Sequence, residues 1–393
     1  MAHEVQEKAF GFIQHNREKL LAFWEELVNM ESGSRDKENV DLVAERVAGE
    51  LKSFGVETEI VTFEKAGNSV VGTLGKDRPG APVALMGHYD TVFPAGTVEK
   101  RPFRIEDGKA YGPGVLDMKG GVALLIFAAK ALEAAGYADR PIRFILAGDE
   151  ETAHCNSTMA EVFEEWSRGC VAAFNCETGD PNNKIVVGRK GVVQCEMAVK
   201  GLAVHAGREP QKGRSAILDL SHKIIDIHGF TDFSRGLTFN VGTVKGGVVP
   251  NAVPDHASAG IDVRCVNVEQ IAEAKEKLHT IATKTYVPDT TTTLSFTSEF
   301  FPMEQTPENE SLFRYVADMY RENGLPEPSM EFSGGGSDSA FSVYAGVPTV
   351  DQMGVKGEWN HSDREYAIVE SIFERAKILA ACILNLDRFE SRR

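Results

Sequence analysis

Apolar positions recur at helical spacing over residues 5–30, where Val5, Ala9, Phe12, Ile13, Leu20, Phe23, Trp24 and Leu27 form one stripe. That stripe predicts a long amphipathic opening helix. A second helix is predicted over 39–54. Short apolar runs follow at 83–86, 142–147 and 171–175, each closed by Gly or polar residues, with a helical stretch at 120–135 between the first two. Strand alternating with helix predicts a largely parallel α/β sheet flanked by helices, with ligands gathering at the carboxyl ends of the strands.

From about residue 185 the pattern changes to strand 185–199, helix 214–228, strands 237–244 and 256–263, helix 268–283 and strand 291–296. This βαββαβ order is the split, ferredoxin-like arrangement, an antiparallel α+β sheet with two helices on one face. The α/β pattern then returns with helix 309–323, a Gly-rich turn at 333–337, a strand at 348–350 and a last helix at 369–386. The expected organisation is therefore one α/β domain in two parts, 1–184 and 299–393, carrying an inserted ferredoxin-like domain at 185–298. No internal repeat or low-complexity segment is visible.

At 393 residues the length suits two such domains. The net charge of -16 repels phosphate backbones and anionic lipid, so nucleic acid and membrane surfaces are not expected partners, whereas cations and small molecules are. The first ten residues mix His3, Glu4, Glu7 and Lys8 with short apolar stretches, unlike the apolar centre of an export signal. No apolar run approaches the ~20 residues that span a bilayer. Cys155, Cys170, Cys176, Cys195, Cys265 and Cys382 show no C-x-x-C spacing, so reduced thiols and a cytoplasmic location are expected.

The chemistry concentrates at the ends of the apolar runs. His88 and Asp90 leave run 83–86 in Gly87-His88-Tyr89-Asp90. One can ligate a cation and the other orient it, because a metal-bound imidazole normally gives its second N–H to a carboxylate. Taken alone, the motif is also compatible with a strand-end His in an ordinary turn. Asp117 lies in a Gly-rich stretch, Tyr111-Gly112-Pro113-Gly114-Val115-Leu116-Asp117-Met118-Lys119-Gly120-Gly121, that can turn sharply before the next helix. A helix N-cap is its ordinary alternative. Asp149-Glu150-Glu151 stacks three acids at the end of run 142–147, mutually repulsive without a cation, and a solvated acidic turn is the alternative there. Glu177 ends Phe174-Asn175-Cys176-Glu177, and His361 sits in Trp359-Asn360-His361-Ser362-Asp363. Asp117, Glu151, Glu177, His88 and His361 make a carboxylate and imidazole set suited to Zn, Mn or Co. Five ligands exceed what one tetrahedral zinc needs. Two cations about 3.5–4 Å apart with one shared carboxylate would use all five and leave a water between them as nucleophile. Spacing alone does not assign ligands to cations.

These motifs, together with His205-Ala206-Gly207, Gly334-Gly335-Gly336-Ser337-Asp338 and His361-Ser362-Asp363, resemble nearly end to end and in order the zinc-dependent aminoacylase, acetylornithine deacetylase and glutamate carboxypeptidase family of metallopeptidases. The likeness is greatest to glutamate carboxypeptidase. The resemblance implies that Asp117 bridges two metals, that His88 and Glu177 complete one site, that Glu151 and His361 complete the other, and that Glu150 is the general base with Asp90 behind His88. It implies a cis peptide at Asp117-Met118. The insertion resembles the family's lid and dimerisation domain, whose His, here His205, reaches a neighbouring subunit's active site, so a homodimer is expected. Arg264, Asn251 and the Gly334 and Gly335 amides would hold a substrate carboxylate, with Lys184 nearby, and Arg offers the fork that a carboxylate prefers. From the residues alone, His205 also reads as a surface-loop His and Arg264 as a solvated strand residue.

The chain departs from the pattern at Thr152-Ala153-His154-Cys155-Asn156-Ser157, where relatives carry a Gly and Ser rich turn, at Thr178, where Pro is common, and at Phe300-Phe301-Pro302, where glutamate-specific relatives have Arg before the Pro. A bulkier or more apolar substrate than glutamate is thereby expected. The activity implied is a dinuclear metal-dependent amidohydrolase, an exopeptidase that cleaves the amide preceding a C-terminal amino acid, with zinc as the metal and Co or Mn as substitutes. An N-acyl amino acid deacylase uses the same site. An aminopeptidase or di/tripeptidase would need an acidic anchor in place of Arg264, and an inactive dimeric scaffold would lack one of the six core residues, all of which are present.

Overall fold

The opening amphipathic stripe is not one helix but two, Ala2–His15 and Arg17–Val28. The two meet at Asn16, whose side-chain amide donates to the Phe12 carbonyl at 2.8 Å beside its own backbone N–H at 3.0 Å. The computed structural model describes residues 2–390, so Met1, part of the N-terminal stretch considered above, lies outside the described residues.

Six strands form the main sheet, in the order Glu57–Val61, Ser69–Leu74, Ile142–Ala147, Val83–His88, Ala172–Asn175 and Thr349–Val350. The last four run parallel and the first two are added antiparallel. Every residue of Val83–His88 is buried, as expected of a strand with both faces covered. Glu57–Val61 escaped the sequence reading because it is an edge strand, Glu-Thr-Glu-Ile-Val, with little of its surface buried.

Helix Lys119–Ala134 is buried from Lys119 to Ala129 and packs directly on the strand ends. Its approach depends on Gly121: a Cβ there would lie 2.0 Å from the Cys176 carbonyl oxygen. Gly121→Ala is therefore expected to destabilise the chain by about 1–3 kcal/mol. Because Glu177 follows Cys176, it should also weaken cation binding, readable by denaturant unfolding alongside calorimetric metal titration. Wild-type values in both would mean that the backbone contact is slack.

The described chain divides into two compact units. One runs through Gly188 and takes in Gln305–Phe332 and the chain from Ser337 onward; the other is Arg189–Glu304 with Ser333–Gly336. The second unit holds a four-stranded antiparallel sheet in the order Thr238–Gly246, His256–Cys265, Gly191–Lys200, Thr291–Phe300. Its core alternates along the strands, with Val193, Cys195, Met197 and Val199 meeting Leu220 and Ile227 of helix Ala216–His228 and Leu278 of helix Val268–Thr283. The single strand expected at 185–199 is two: Lys184–Arg189 pairs with Ser329–Ser333 in a separate two-stranded sheet, and Gly191–Lys200 enters the four-stranded one. Lys190 marks the break because its amide bonds the Ser333 carbonyl at 3.0 Å, outside either ladder. Among the described residues no helix is long and apolar enough to cross a membrane.

Candidate metal centre

Parallel register brings the first part of the site together. His88 is the last residue of its strand and pairs with Ala147 of the neighbour, while Met86 pairs with Asn175 on the other side. Glu150 and Glu151 follow the first of those neighbours and Glu177 follows the second, so all leave the same edge of the sheet. Asp117 reaches that edge on the loop before helix Lys119–Ala134. Glu365, fully buried, holds this loop by accepting the backbone N–H groups of Gly114, Leu116 and Asp117 at 2.9–3.0 Å. His361 arrives from far along the chain on the turn between Gly357–Glu358 and Tyr366–Ile368, a hairpin whose second strand pairs with Lys109–Tyr111 just before the Asp117 loop.

Asp117 divides its carboxylate between two donor sets. Oδ1 lies 3.2 Å from His88 Nε2, which is itself 3.2 Å from Glu177 Oε1. Oδ2 lies 3.1 Å from His361 Nε2, which is 3.2 Å from Glu151 Oε2. Asp117 is not a helix cap, since Met118 holds that position, and the Asp117-Met118 peptide is cis. Behind His88, Nδ1 faces Asp90 Oδ1 at 3.3 Å and the Asp90 carbonyl at 3.1 Å. The buried Asp90 carboxylate also accepts Ser34 Oγ and the amides of Glu150 and Glu151. Glu150 stands outside these two sets, 3.9 Å from His88 Nε2, and its carboxylate forms a third group with His88 and Glu151 whose donor atoms lie within 4.8 Å of one another.

The electrostatics are those of a site built for positive charge. Burial, then the Asp117 carboxylate, pushes Glu151 up to about 7, and burial with the neighbouring acids raises Glu150 well above the usual carboxylate range. Hydrogen bonds to Asp117 and Glu151 push His361 up to about 11. Burial would raise Asp117 too, but the two imidazoles hold it well below the ordinary value. Glu151 Oε1 is buried without a hydrogen-bond partner, a costly state for a carboxylate oxygen unless a cation meets it. Two groups that share Asp117, His88 with Glu177 and His361 with Glu151, each keep their donor atoms within 4.8 Å of one another. Carboxylate oxygens and imidazole nitrogens at this spacing fit two divalent cations with Asp117 between them.

The sequence profile described as peptidase family M20/M25/M40 matches residues 84–385, a span that contains His88, Asp90, Asp117, Glu150, Glu151, Glu177 and His361. The chain belongs to this family. Family M20 is metal-dependent, and this M20 chain is a metallopeptidase-type hydrolase with a candidate dinuclear site. It is 30% identical over 369 residues to Carboxypeptidase G2 of Pseudomonas sp., covering 92% of this chain and 88% of that protein. It is 26% identical to a succinyl-diaminopimelate desuccinylase of Bradyrhizobium sp., covering 86% of this chain and 91% of the relative. Among solved structures, an M20 family metallo-carboxypeptidase from Sulfolobus solfataricus superposes with a TM-score of 0.74 at 19% identity, over 93% of this chain and 98% of its own. Aminopeptidase PepT from Bacillus cereus superposes at 0.77 and 22% identity, over 95% and 99%. At these identities the two structures speak for the fold alone.

The remaining residues singled out from the sequence lie elsewhere in this M20 chain. His205 is exposed in the second unit, its Nδ1 accepting the Gly207 N–H at 3.1 Å, and its segment runs beside that of Asn251, whose carbonyl accepts the Ala206 N–H at 3.0 Å. Arg264 is half-buried in the same unit, forked onto Asp262 and donating to the Gly334 carbonyl at 3.2 Å; the neighbouring Gly335 and Gly336 carbonyls accept Arg189. Lys184, in the first unit, is paired with Glu331 at 3.0 Å. Sequence reasoning missed Asn360, whose side-chain amide donates to Asp117 Oδ2 at 3.0 Å, and also Ser34 and Glu365. Adjacency to His361 could have flagged Asn360. Nothing local marks Glu365, because its partners are backbone amides about 250 positions earlier.

Proposed function

We propose that this M20-family hydrolase cleaves the amide bond that precedes a C-terminal amino acid in a small peptide or N-acyl amino acid. The observation that carries the reading is the division of the Asp117 carboxylate between His88 with Glu177 and His361 with Glu151, with Glu150 alongside but outside both sets. Those five side chains would hold two cations, zinc by the chemistry of the donors. When bound, the cations would supply the positive charge that makes water more acidic and offsets the negative charge developing on the scissile carbonyl. Glu150 takes the proton of the attacking water and returns it to the departing amine. Asp90 fixes the tautomer and orientation of His88.

The carboxypeptidase direction is supported by the end-to-end similarity to Carboxypeptidase G2. In this reading Arg264, Asn251 and the Gly334 and Gly335 amides hold the terminal carboxylate, and Lys184 has at most a minor part because Glu331 already engages it. His205 of a second copy, in a homodimer formed through residues 185–298, stabilises the oxyanion. The unpaired cysteines accord with a cytoplasmic enzyme. A cleft of about 520 Å³ beside Glu151, lined by Val92, Phe93, Pro94 and Ala95, is roomy and apolar enough for a bulky acyl side. The deacylase reading also has support: Arg35, exposed in the same cleft, suits an acyl group ending in a carboxylate, and desuccinylases are among the relatives.

The test is a panel of dipeptides and N-acyl amino acids, including N-succinyl ones, each with a free or an amidated terminal carboxyl, assayed with and without a chelator. Charge-assisted hydrogen bonds are worth about 1.5–3 kcal/mol, so amidation should lower kcat/KM by about 10-fold to 100-fold, and chelation should abolish turnover. Equal turnover of free and amidated substrates, or a demand for a free amino terminus, would replace this reading with an aminopeptidase.

A further inference from the structure

The turn that carries Glu150 and Glu151 is held in an unfavourable shape. A single 3-10 turn, Glu150–Thr152, is followed by Ala153 and His154 at φ 51° and 53°, two successive side-chain-bearing residues in the left-handed region. Such conformations cost on the order of 1 kcal/mol or more each and persist only where the surroundings impose them. These two residues lie within Thr152-Ala153-His154-Cys155-Asn156-Ser157, singled out in the sequence by its resemblance to the family.

What imposes the shape is His154. The residue is 6% exposed, and its ring lies between Phe163 and Phe341, with centroids at 6.0 and 5.8 Å. Nδ1 meets Asp149 Oδ1 at 2.8 Å and Nε2 meets Asp338 Oδ1 at 2.7 Å, both carboxylates being buried. An imidazole that donates from both nitrogens is the charged form, and two carboxylates at this distance favour it. Asp149 is the residue immediately before Glu150, and Asp338 opens helix Ser339–Tyr344, so the ring ties the turn to a separate element. From the opposite side Asp90 takes the Glu150 and Glu151 amides at 3.1 Å each. The turn is thus pinned at two points, by Asp90 on its backbone amides and by His154 between two carboxylates.

We infer that His154, clamped between Asp149 and Asp338, is a positioning residue that sets the Glu150–Glu151 turn, and through it the affinity of the cation position shared by Glu151 and His361. The inference rests on the roles proposed above for Glu150 and Glu151. A structural role alone would weaken both cation positions together with the fold. A positioning role is selective, because His88 and Glu177 stand on other strand ends.

The test is to strip the full chain of metal, titrate it with Co²⁺ alone by calorimetry, and compare the wild type with His154→Asn. Asn tolerates the left-handed backbone but cannot span both carboxylates. Outer-shell partners of this kind typically change metal affinity or activity 10-fold to 100-fold. The variant should bind one Co²⁺ as the wild type does and the second 10-fold to 100-fold more weakly, with kcat lowered at least 10-fold and KM within twofold. Asp338→Asn should shift the same equivalent in the same direction, and it carries the test if the first variant does not fold. Two equivalents of unchanged affinity with unchanged kcat, or equal weakening of both alongside a general loss of stability, would overturn the inference. A wild type that binds no Co²⁺ would overturn the proposed function itself.

Discussion

Glu150→Gln is expected to lower kcat by about 100-fold to 10,000-fold while both cations stay bound, the range set by a positioned general base. The geometry makes the separation of effects sharp. Glu150 lies 3.9 Å from His88 Nε2, beyond the 3.1–3.2 Å contacts that define the two donor sets sharing Asp117, so an amide there leaves both of those sets intact. Its amide hydrogen bond to Asp90 at 3.1 Å is made by the backbone and survives the change. Gln also matches Glu in volume, so no cavity forms. Turnover and metal content measured on the same preparation decide the matter: most activity retained would exclude Glu150 as the base, and loss of metal would make it a ligand.

Removing the cations should abolish turnover and destabilise the fold, and the second effect should depend on pH with a definite sign. Without cations, Glu151 titrates near 7 instead of the ordinary 4.5, chiefly because it is buried, and His361 near 11 instead of 6.5, chiefly through its hydrogen bond to Asp117. For both, the folded state holds more protons than the unfolded one, so the metal-free chain loses stability as pH rises: through roughly 4.5 to 7 for Glu151 and 6.5 to 11 for His361. Asp117, held low by the two imidazoles, acts oppositely, but only below its ordinary value of 3.8. Cations compete with those same protons and bind better as pH rises. Each cation at 100 times its Kd adds about 2.7 kcal/mol. The gap in Tm between loaded and chelated protein should therefore be several degrees at pH 8 and shrink towards pH 5.5. Calorimetric scans at the two pH values read it directly, and identical melting at pH 8 with and without chelator would show that no cation is bound there.

Much of this was legible because the chemistry is local. His88 and Asp90, the acids after 142–147, and Glu177 each follow an apolar run, and a parallel sheet collects such run ends at one edge. The helix at Val268–Thr283 and the strand at Ile142–Ala147 appear with the bounds their periodicity predicts. The strand through 185–199 was read as one because apolar residues stand on both sides of Gly188-Arg189-Lys190-Gly191, and the change of pairing partner at that polar interruption shows two strands. Glu365 was invisible for a different reason: its partners are backbone amides of the Asp117 loop, some 250 residues away in the chain.

The sequence by itself determined the donor types, their order and the strand ends that carry them, because those depend on residue chemistry and short-range hydrophobic period. Tertiary structure alone decided which oxygen of Asp117 faces which imidazole, since that follows from a hairpin pairing Tyr366 with Tyr111 across the chain. It also decided that His154 is no ordinary turn residue, because the carboxylate facing its Nε2 comes from an element 184 positions further on.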